Sequence, residues 1–440
     1  MRRRLTRRTR RLSLVLAVLL GVVVAACAPG GNTARPGAQS SGGGGGGGNP
    51  IKVGLLAPVT GTVAAPGQDM VNGWNLFFKL NGNTFGGRTI KTFHEDSAGD
   101  PATALNKAKR LVGTEGVDFI VGPLLANVGL AVSEQMSRQG VPAFMPIVSA
   151  DNLTQRKRLP GVIRVAGWTS SQPTQPFGQW AYNQGYRRIV TLCTDYAFGH
   201  ENCGGFVNTF TDAGGKVVKQ LWQPIGTQDF STYIAQIRAA HPDAVFVTTV
   251  GAAGPRFMKA WSNFGLKGEI PLLANETLMD QSVLRSMGKE ALGVISAAHY
   301  AEGRDAPATQ KFVKKYLDAY GELPSYYAVG MYTAARWLTE AIKDVHGDLS
   351  DTDAFLKAVR SIQLKHTPMG PMRLDKYDNP IQNIYIRKVE KRDDGKLWNV
   401  PIKTYHDVSQ FWHYDPKEFL DHPVYSRRYQ GNGVWPKPRK

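Results

Sequence analysis

From Ile51 onward, short apolar runs alternate with stretches whose apolar residues recur at three- and four-residue spacing. The runs predict strands at Ile51–Leu56, Thr89–Phe93, Val117–Val121, Ala143–Val148, Val162–Val165, Arg188–Cys193, Lys216–Leu221, Ala244–Thr249, Pro271–Ala274 and Val294–Ala298. Most follow one another at about 25–30 residues, the length of a strand plus its crossover helix. Phe119-Ile120-Val121 and Ala244-Val245-Phe246-Val247 are apolar on both faces, as the central strands of a parallel sheet are. Asp100-Pro101 opens one helix, with Ala104, Ala108, Leu111 and Val112 on one side, and Asp229 and Ser231 cap another that carries Ile234 and Ile237. The longest, Ser325–Val345, sets Tyr327, Met331, Ala334, Ala335, Leu338 and Ile342 at helical spacing.

Short loops and right-handed crossovers turn this alternation into doubly wound α/β sheets. The strands are too many for one such sheet, so the chain is expected to form two Rossmann-like lobes joined by a three-segment hinge. The expected crossings are Arg164–Gln172, Tyr300–Gly303 and Gly370–Leu374. That assigns residues 50–168 and 302–371 to the first lobe, and 169–301 and 372–405 to the second. The remaining 406–440 form an aromatic tail (Phe411, Trp412, Tyr414, Phe419, Tyr425, Tyr429, Trp435), expected to strap across a lobe surface.

One turn carries candidate chemistry. Gly122-Pro123-Leu124-Leu125-Ala126-Asn127-Val128-Gly129 joins a buried-looking strand to a helix expected over Val128–Gln139. Asn127 suits the N-cap, Gly129 permits close approach to the first turn, and unpaired N–H groups there favour an anion such as a carboxylate or phosphate.

The leader changes the reading of the charge. The formal net charge is +18, but seven arginines lie within Met1–Leu12, and setting those seven aside leaves +11. No basic motif interleaved with aromatics points to nucleic acid. The arginines precede an apolar run, Leu12–Val24, too short for a confident membrane span, so residues 1–26 read as an export signal. Val24-Ala25-Ala26-Cys27 resembles a bacterial lipobox, which implies cleavage before Cys27 and a lipid anchor on it. Residues 27–49 then act as a linker with seven consecutive glycines, Gly42–Gly48. Its reach of about 25 Å holds a folded body just off a membrane. Cys193 and Cys203 remain: export permits a disulfide between them, and two buried thiols are the alternative. No second cysteine pair at ligand spacing suggests a metal.

The ordered signatures of the chain resemble the periplasmic substrate-binding proteins of branched-chain amino acid ABC transporters. They are Val53-Gly54-Leu55-Leu56-Ala57-Pro58-Val59-Thr60-Gly61, Glu95-Asp96-Ser97-Ala98-Gly99-Asp100-Pro101, Asp118-Phe119-Ile120-Val121-Gly122-Pro123, Thr194-Asp195-Tyr196-Ala197-Phe198-Gly199, Gly226-Thr227-Gln228-Asp229-Phe230-Ser231, Pro242-Asp243-Ala244-Val245 and Gly370-Pro371-Met372-Arg373. The resemblance implies two lobes closing on a small solute, delivery to an ABC permease in the membrane, no cofactor and no catalysis. It places a carboxylate grip at Ala126, Asn127, Val148, Ser149 and Ala150, and aromatic contacts at Tyr196, Phe198 and Tyr327. Small Ala252 leaves room, Glu276 pairs with a ligand ammonium, and Trp168 offers a further wall. Ala65-Pro66 departs from the aromatic usual in that turn. Residues 411–425 resemble the subset that binds aromatic acids. The same fold also serves ligand sensors coupled to a membrane kinase or chemoreceptor. As for an enzyme, the nearest catalytic cluster, His94-Glu95-Asp96, lies on a strand, where adjacent side chains point to opposite faces.

Overall fold

The computed structural model describes residues 48–431. The export signal, Cys27, most of the glycine linker and residues 432–440, with Trp435, lie outside the described residues.

The first sheet and its cover arise from β1 (Ile51–Ala57), α1 (Ala64–Asn81), β2 (Thr84–Phe85), β3 (Arg88–Asp96), α2 (Pro101–Arg110), β4 (Phe119–Val121), α3 (Ala126–Gln139), β5 (Ala143–Phe144) and β6 (Val162–Ile163). Its order is β2-β3-β1-β4-β5-β6, with only the β2–β3 pair antiparallel. The apolar run of β1 explains its central place: six of its seven residues are buried, flanked by β3 and β4. The second sheet begins with α4 (Thr174–Asn183), β7 (Arg188–Thr194), α5 (Ala197–Asp212), β8 (Lys216–Gln223), α6 (Ser231–Ala239), β9 (Ala244–Val247), α7 (Ala253–Asn263), β10 (Leu272–Ala274), α8 (Gln281–Leu284) and β11 (Ile295–Ala298). The chain then supplies α9 (Pro307–Tyr320), α10 (Tyr326–Asp344) and α11 (Thr352–Ser361), whose buried residues join the core of the first sheet. β12 (Gln363–Leu364), β13 (Met372–Leu374), β14 (Pro380–Lys391) and β15 (Leu397–Val408) complete the second sheet, and α12 (Pro416–Asp421) lies in the tail. Second-sheet order is β12-β13-β14-β11-β10-β9-β7-β8, with β15 against β14.

We call the first sheet with α9–α11 the first half, and the rest the second half. The helices seal the first half because α1 and α10 nearly touch: a Cβ on Gly73 would collide with the Ala328 carbonyl. Two buried guanidinium groups brace the passages between halves. Arg164 donates to Val148 O (3.1 Å), Ala150 O (2.5 Å) and Asn379 Oδ1 (2.7 Å). Arg387 donates to Ser296 Oγ (3.0 Å), Tyr300 O (2.8 Å) and Glu276 O (3.1 Å). A buried cation with so many donors is tolerable only when carbonyls and side-chain oxygens meet them.

Three expectations need correction. The strand expected at Ala143–Val148 pairs only over Ala143–Phe144, because the chain leaves the ladder ahead of Pro146, which has no N–H to give. α3 starts at Ala126, with Leu125 as N-cap and no side-chain cap, so Asn127 is an exposed residue inside the first turn. The antiparallel hairpin of β14 and β15, twelve residues each, was not expected. The tail does pack on the body. Arg156 donates to the carbonyls of Phe419 (2.6 Å) and His422 (2.7 Å), and Asn208 Nδ2 donates to the hydroxyls of Tyr414 and Tyr425 (3.1 Å each). Among the described residues, no helix is long and apolar enough to cross a membrane.

Candidate functional site

The parallel strands of both sheets end facing one another, the place where open α/β sheets bind ligands. A cavity of about 20 Å³ lies there. That holds about one water molecule, so any larger solute needs the wall to open. From the first half come Leu124 and Ala126 after β4, Ile147 and Ser149 beyond β5, and Tyr326 and Tyr327 at the start of α10. From the second come Tyr196 and Phe198 around the start of α5, Val250 after β9 and Thr277 after β10. Trp168, on the first passage between halves, completes the wall.

Local chemistry explains how each edge is shaped. After β4, Gly122 takes a φ of 101°, a conformation only glycine adopts freely, and the Gly122–Pro123 bond is cis. The turn delivers the N-terminus of α3 to the cavity with no side chain capping it. Its first N–H groups therefore have no partner inside the helix, and the helix dipole favours an anion before them. α5 likewise begins at Tyr196 without a side-chain cap. α10 differs: Ser325 Oγ accepts from the Ala328 N–H (3.2 Å) and Asp280 Oδ2 from the Tyr326 N–H (2.9 Å). A disulfide between Cys193 and Cys203 ties β7 to α5 and so secures the turn that carries Tyr196 and Phe198.

The aromatic walls touch one another. Trp168 meets Tyr326 edge-on at 4.9 Å, Tyr326 lies 4.0 Å from Tyr327, and Tyr196 lies 5.9 Å from Phe198. His299 stacks behind Trp168 at 3.9 Å, and burial beside Arg387 holds its pKa well below the usual value, so it is neutral. Glu276 also sits behind Trp168. Its Oε1 accepts from Trp168 Nε1 (3.3 Å) and from Asn202 Nδ2 (3.3 Å), and burial pushes its pKa up to about 7. The wall itself thus presents hydroxyls and backbone donors but no charged side chain.

The two halves meet across this cavity. The Ala252 N–H donates to Thr62 O (3.3 Å), the Asp151 N–H donates to Glu201 Oε2 (3.1 Å), and Arg285 pairs with both Asp69 and Glu322. Burial pushes Asp69 up to about 6 despite that pairing.

Of the residues expected at the site, Ala126, Ser149, Tyr196, Phe198 and Tyr327 share the cavity wall, as does Trp168. Five others stand elsewhere. Val148 turns onto α3, where a Cβ on Gly129 would strike its methyls; the partner that Gly129 admits is thus Val148. Ala150 is buried and gives its carbonyl to Arg164. Asn127 is exposed, Ala252 is exposed at the contact with Thr62, and Glu276 is screened by Trp168. Sequence reasoning missed Leu124, Ile147, Val250, Thr277 and Tyr326. Ile147 lies in a run read as strand, and Val250 and Thr277 lie one and three residues past expected strand ends, a position that marks the ligand edge in this class of sheet. His94, Glu95 and Asp96 do not converge on a site: Glu95 pairs with Lys107 (2.8 Å) and Arg110, while Asp96 accepts from the N–H groups of Val59 (3.0 Å) and Ala98 (2.8 Å). No cluster of metal-ligating side chains occurs among the described residues.

A family model described as Periplasmic binding protein matches residues 50–396. The Leu/Ile/Val-binding protein homolog 6 of Brucella suis biovar 1 (strain 1330) is 32% identical over 367 residues, covering 81% of this chain and 91% of that one. Among solved structures, an ABC transporter substrate-binding protein from Sphaerobacter thermophilus is 32% identical with a TM-score of 0.78, over 82% of this chain and 99% of that one. The solute binding protein of an ABC transporter from Rhodopseudomonas palustris BisB5, solved with 3,4-dihydroxy benzoic acid, is 31% identical with a TM-score of 0.78, over 82% and 98%.

Proposed function

The chain belongs to the periplasmic binding protein family, and from that premise we propose that it is the lipid-anchored receptor of an ABC importer, closing on a small aromatic carboxylate and presenting it to the permease. One observation carries the choice of solute. The cavity pairs an uncapped helix N-terminus and Ser149 with five aromatic side chains, while Glu276, the acid expected to hold an ammonium, is shut behind Trp168. A free α-amino acid would bring an ammonium group to a wall that offers it no charge. A benzoate brings a carboxylate to the donors and a ring to the aromatic planes. The relative from Rhodopseudomonas palustris, solved with a dihydroxybenzoic acid, supports the same class.

The magnitudes are adequate. Burying a ring of roughly 150 Å² contributes about 4 kcal/mol. Charge-assisted hydrogen bonds to the carboxylate add about 1.5–3 kcal/mol each. Against the cost of association, that sum reaches the micromolar range. A solute contacting both halves stabilises the shut arrangement, and the permease reads that state. Cleavage before Cys27 and its lipid would keep the body at the membrane, on the glycine leash.

The test is a thermal-shift panel of benzoate, 4-hydroxybenzoate, 3,4-dihydroxybenzoate, leucine, isoleucine and valine. The reading expects the benzoates to raise the melting temperature, by an amount that grows with the logarithm of their concentration above Kd, and the amino acids to leave it unchanged. Stabilisation by the aliphatic amino acids alone would refute the choice of solute.

A further inference from the structure

Glu201 lies outside the cavity wall, yet a chain of hydroxyls links it to the wall. This carboxyl projects from α5 and is 2% exposed. Its Oε2 stands 2.8 Å from Ser170 Oγ and also accepts the Asp151 N–H at 3.1 Å. Ser170 Oγ stands in turn 3.1 Å from Ser149 Oγ and 3.0 Å from Ser149 O. Ser149 faces the cavity beside the uncapped end of α3. The line therefore runs Glu201, Ser170, Ser149, cavity.

Each hydroxyl has one proton to donate. If Glu201 is ionised, Ser170 gives its proton to the carboxylate and becomes an acceptor for the Ser149 hydroxyl. Ser149 then presents lone pairs to the cavity, which repel an incoming carboxylate. If Oε2 carries a proton, the direction reverses. Glu201 donates to Ser170, Ser170 donates to Ser149, and Ser149 turns its own proton toward the solute. We propose that Glu201 and Ser170 are positioning residues that orient the Ser149 hydroxyl, and that a carboxylate binds with a proton on Glu201, taken up from solvent wherever the free protein has lost it. This rests on the reading of the cavity as a carboxylate site.

The surroundings favour that proton. The ionisable groups facing Glu201 are Asp151 from the turn beyond β5, Arg164 after β6, Arg156 farther along the same turn, and Tyr196 before α5, with Tyr425 of the tail beyond Asp151. Burial, and then the Asp151 carboxyl, raise Glu201 well above the usual carboxylate range, while Arg164 opposes the rise. Asp151 itself is pushed up to about 6 by burial. Two buried acids beside Arg164 do not readily hold two negative charges, and a bound carboxylate adds a third. Linkage fixes the sign: if the bound form holds more protons, affinity falls as pH rises through the pKa of the free form.

Calorimetric titration with benzoate from pH 5 to pH 9, in two buffers of different ionisation enthalpy, counts the protons. The wild type is expected to take up almost no proton below the free-form pKa of Glu201 and close to one above it, where affinity falls about tenfold per pH unit. Glu201→Gln removes the titrating group, and Ser170→Ala breaks the line while leaving it in place. Both variants, checked for folding by thermal melting, are expected to bind benzoate with little proton uptake and a flat pH profile. Benzoate binding by the wild type without proton uptake at any pH up to 9, or with the same pH slope in Ser170→Ala, overturns the proposal alone. No benzoate binding at any pH overturns the carboxylate reading, and the proposal with it.

Discussion

Glu201 and Glu276 come from the same half of the molecule, both are fully buried, and burial raises both carboxyl groups. They differ in what stands between them and the cavity. Before Glu276 lies the indole of Trp168, whose one N–H is spent on the carboxyl and whose ring passes nothing on. Before Glu201 lie two hydroxyls, each able to donate or accept. An acid at a ligand site is thus defined by its intermediary as much as by its position. On the proposed reading, the screened acid shapes selectivity by being withheld, and the relayed acid acts through Ser149.

Removing the screen should have the largest effect. Trp168→Ala strips a buried aromatic wall and exposes Glu276, at a cost of about 3–5 kcal/mol by analogy with buried aromatic deletions. Calorimetry should record loss of benzoate affinity by two orders of magnitude or more. Next comes Glu276→Gln. The native acid, at about 7 against an ordinary 4.5, holds its proton where the unfolded chain has lost it. Its contribution to stability therefore declines as pH rises from 4.5 to 7 and stays low above that. The variant should gain about 3 kcal/mol over wild type at pH 8 and less than about 1 kcal/mol at pH 5, read by urea unfolding. Benzoate affinity should hold within about threefold, since the residue is off the wall.

Replacing both Cys193 and Cys203 by Ser should lower stability by about 2–3 kcal/mol, measured by denaturant titration. It should also weaken benzoate binding, because the bond secures the turn of Tyr196 and Phe198. Ser149→Ala removes the terminal donor of the relay and should cost about 1.5 kcal/mol of binding free energy, roughly tenfold in Kd, while flattening the pH profile. Asn127→Ala should be smallest, below about 0.5 kcal/mol in either stability or binding, because its side chain is exposed.

The alternation of apolar runs made the parallel strands legible: β1, β7 and β9 carry their buried residues consecutively. The β14–β15 hairpin was not, since buried positions of β14 include Gln382, Asn383 and Arg387. Such a strand does not read as an apolar run. Its turn carried a usable signal in Asp394-Gly395. On the cavity wall, Ser149, Tyr196 and Phe198 were legible through the family resemblance, whose motifs match the segments that carry them. The screening of Glu276 was not, because it depends on an indole 108 residues away in the chain. The relay through Ser170 and Ser149 spans 31 and 21 residues, again beyond any local pattern.

The most direct test of the account is calorimetric titration of benzoate and of leucine against one preparation of the mature protein at pH 7. The account predicts saturable benzoate binding, one molecule per chain with micromolar affinity, and no heat of binding from leucine. Saturable binding of leucine with none of benzoate would contradict it, since an ammonium would then have found an acid that this structure keeps behind Trp168.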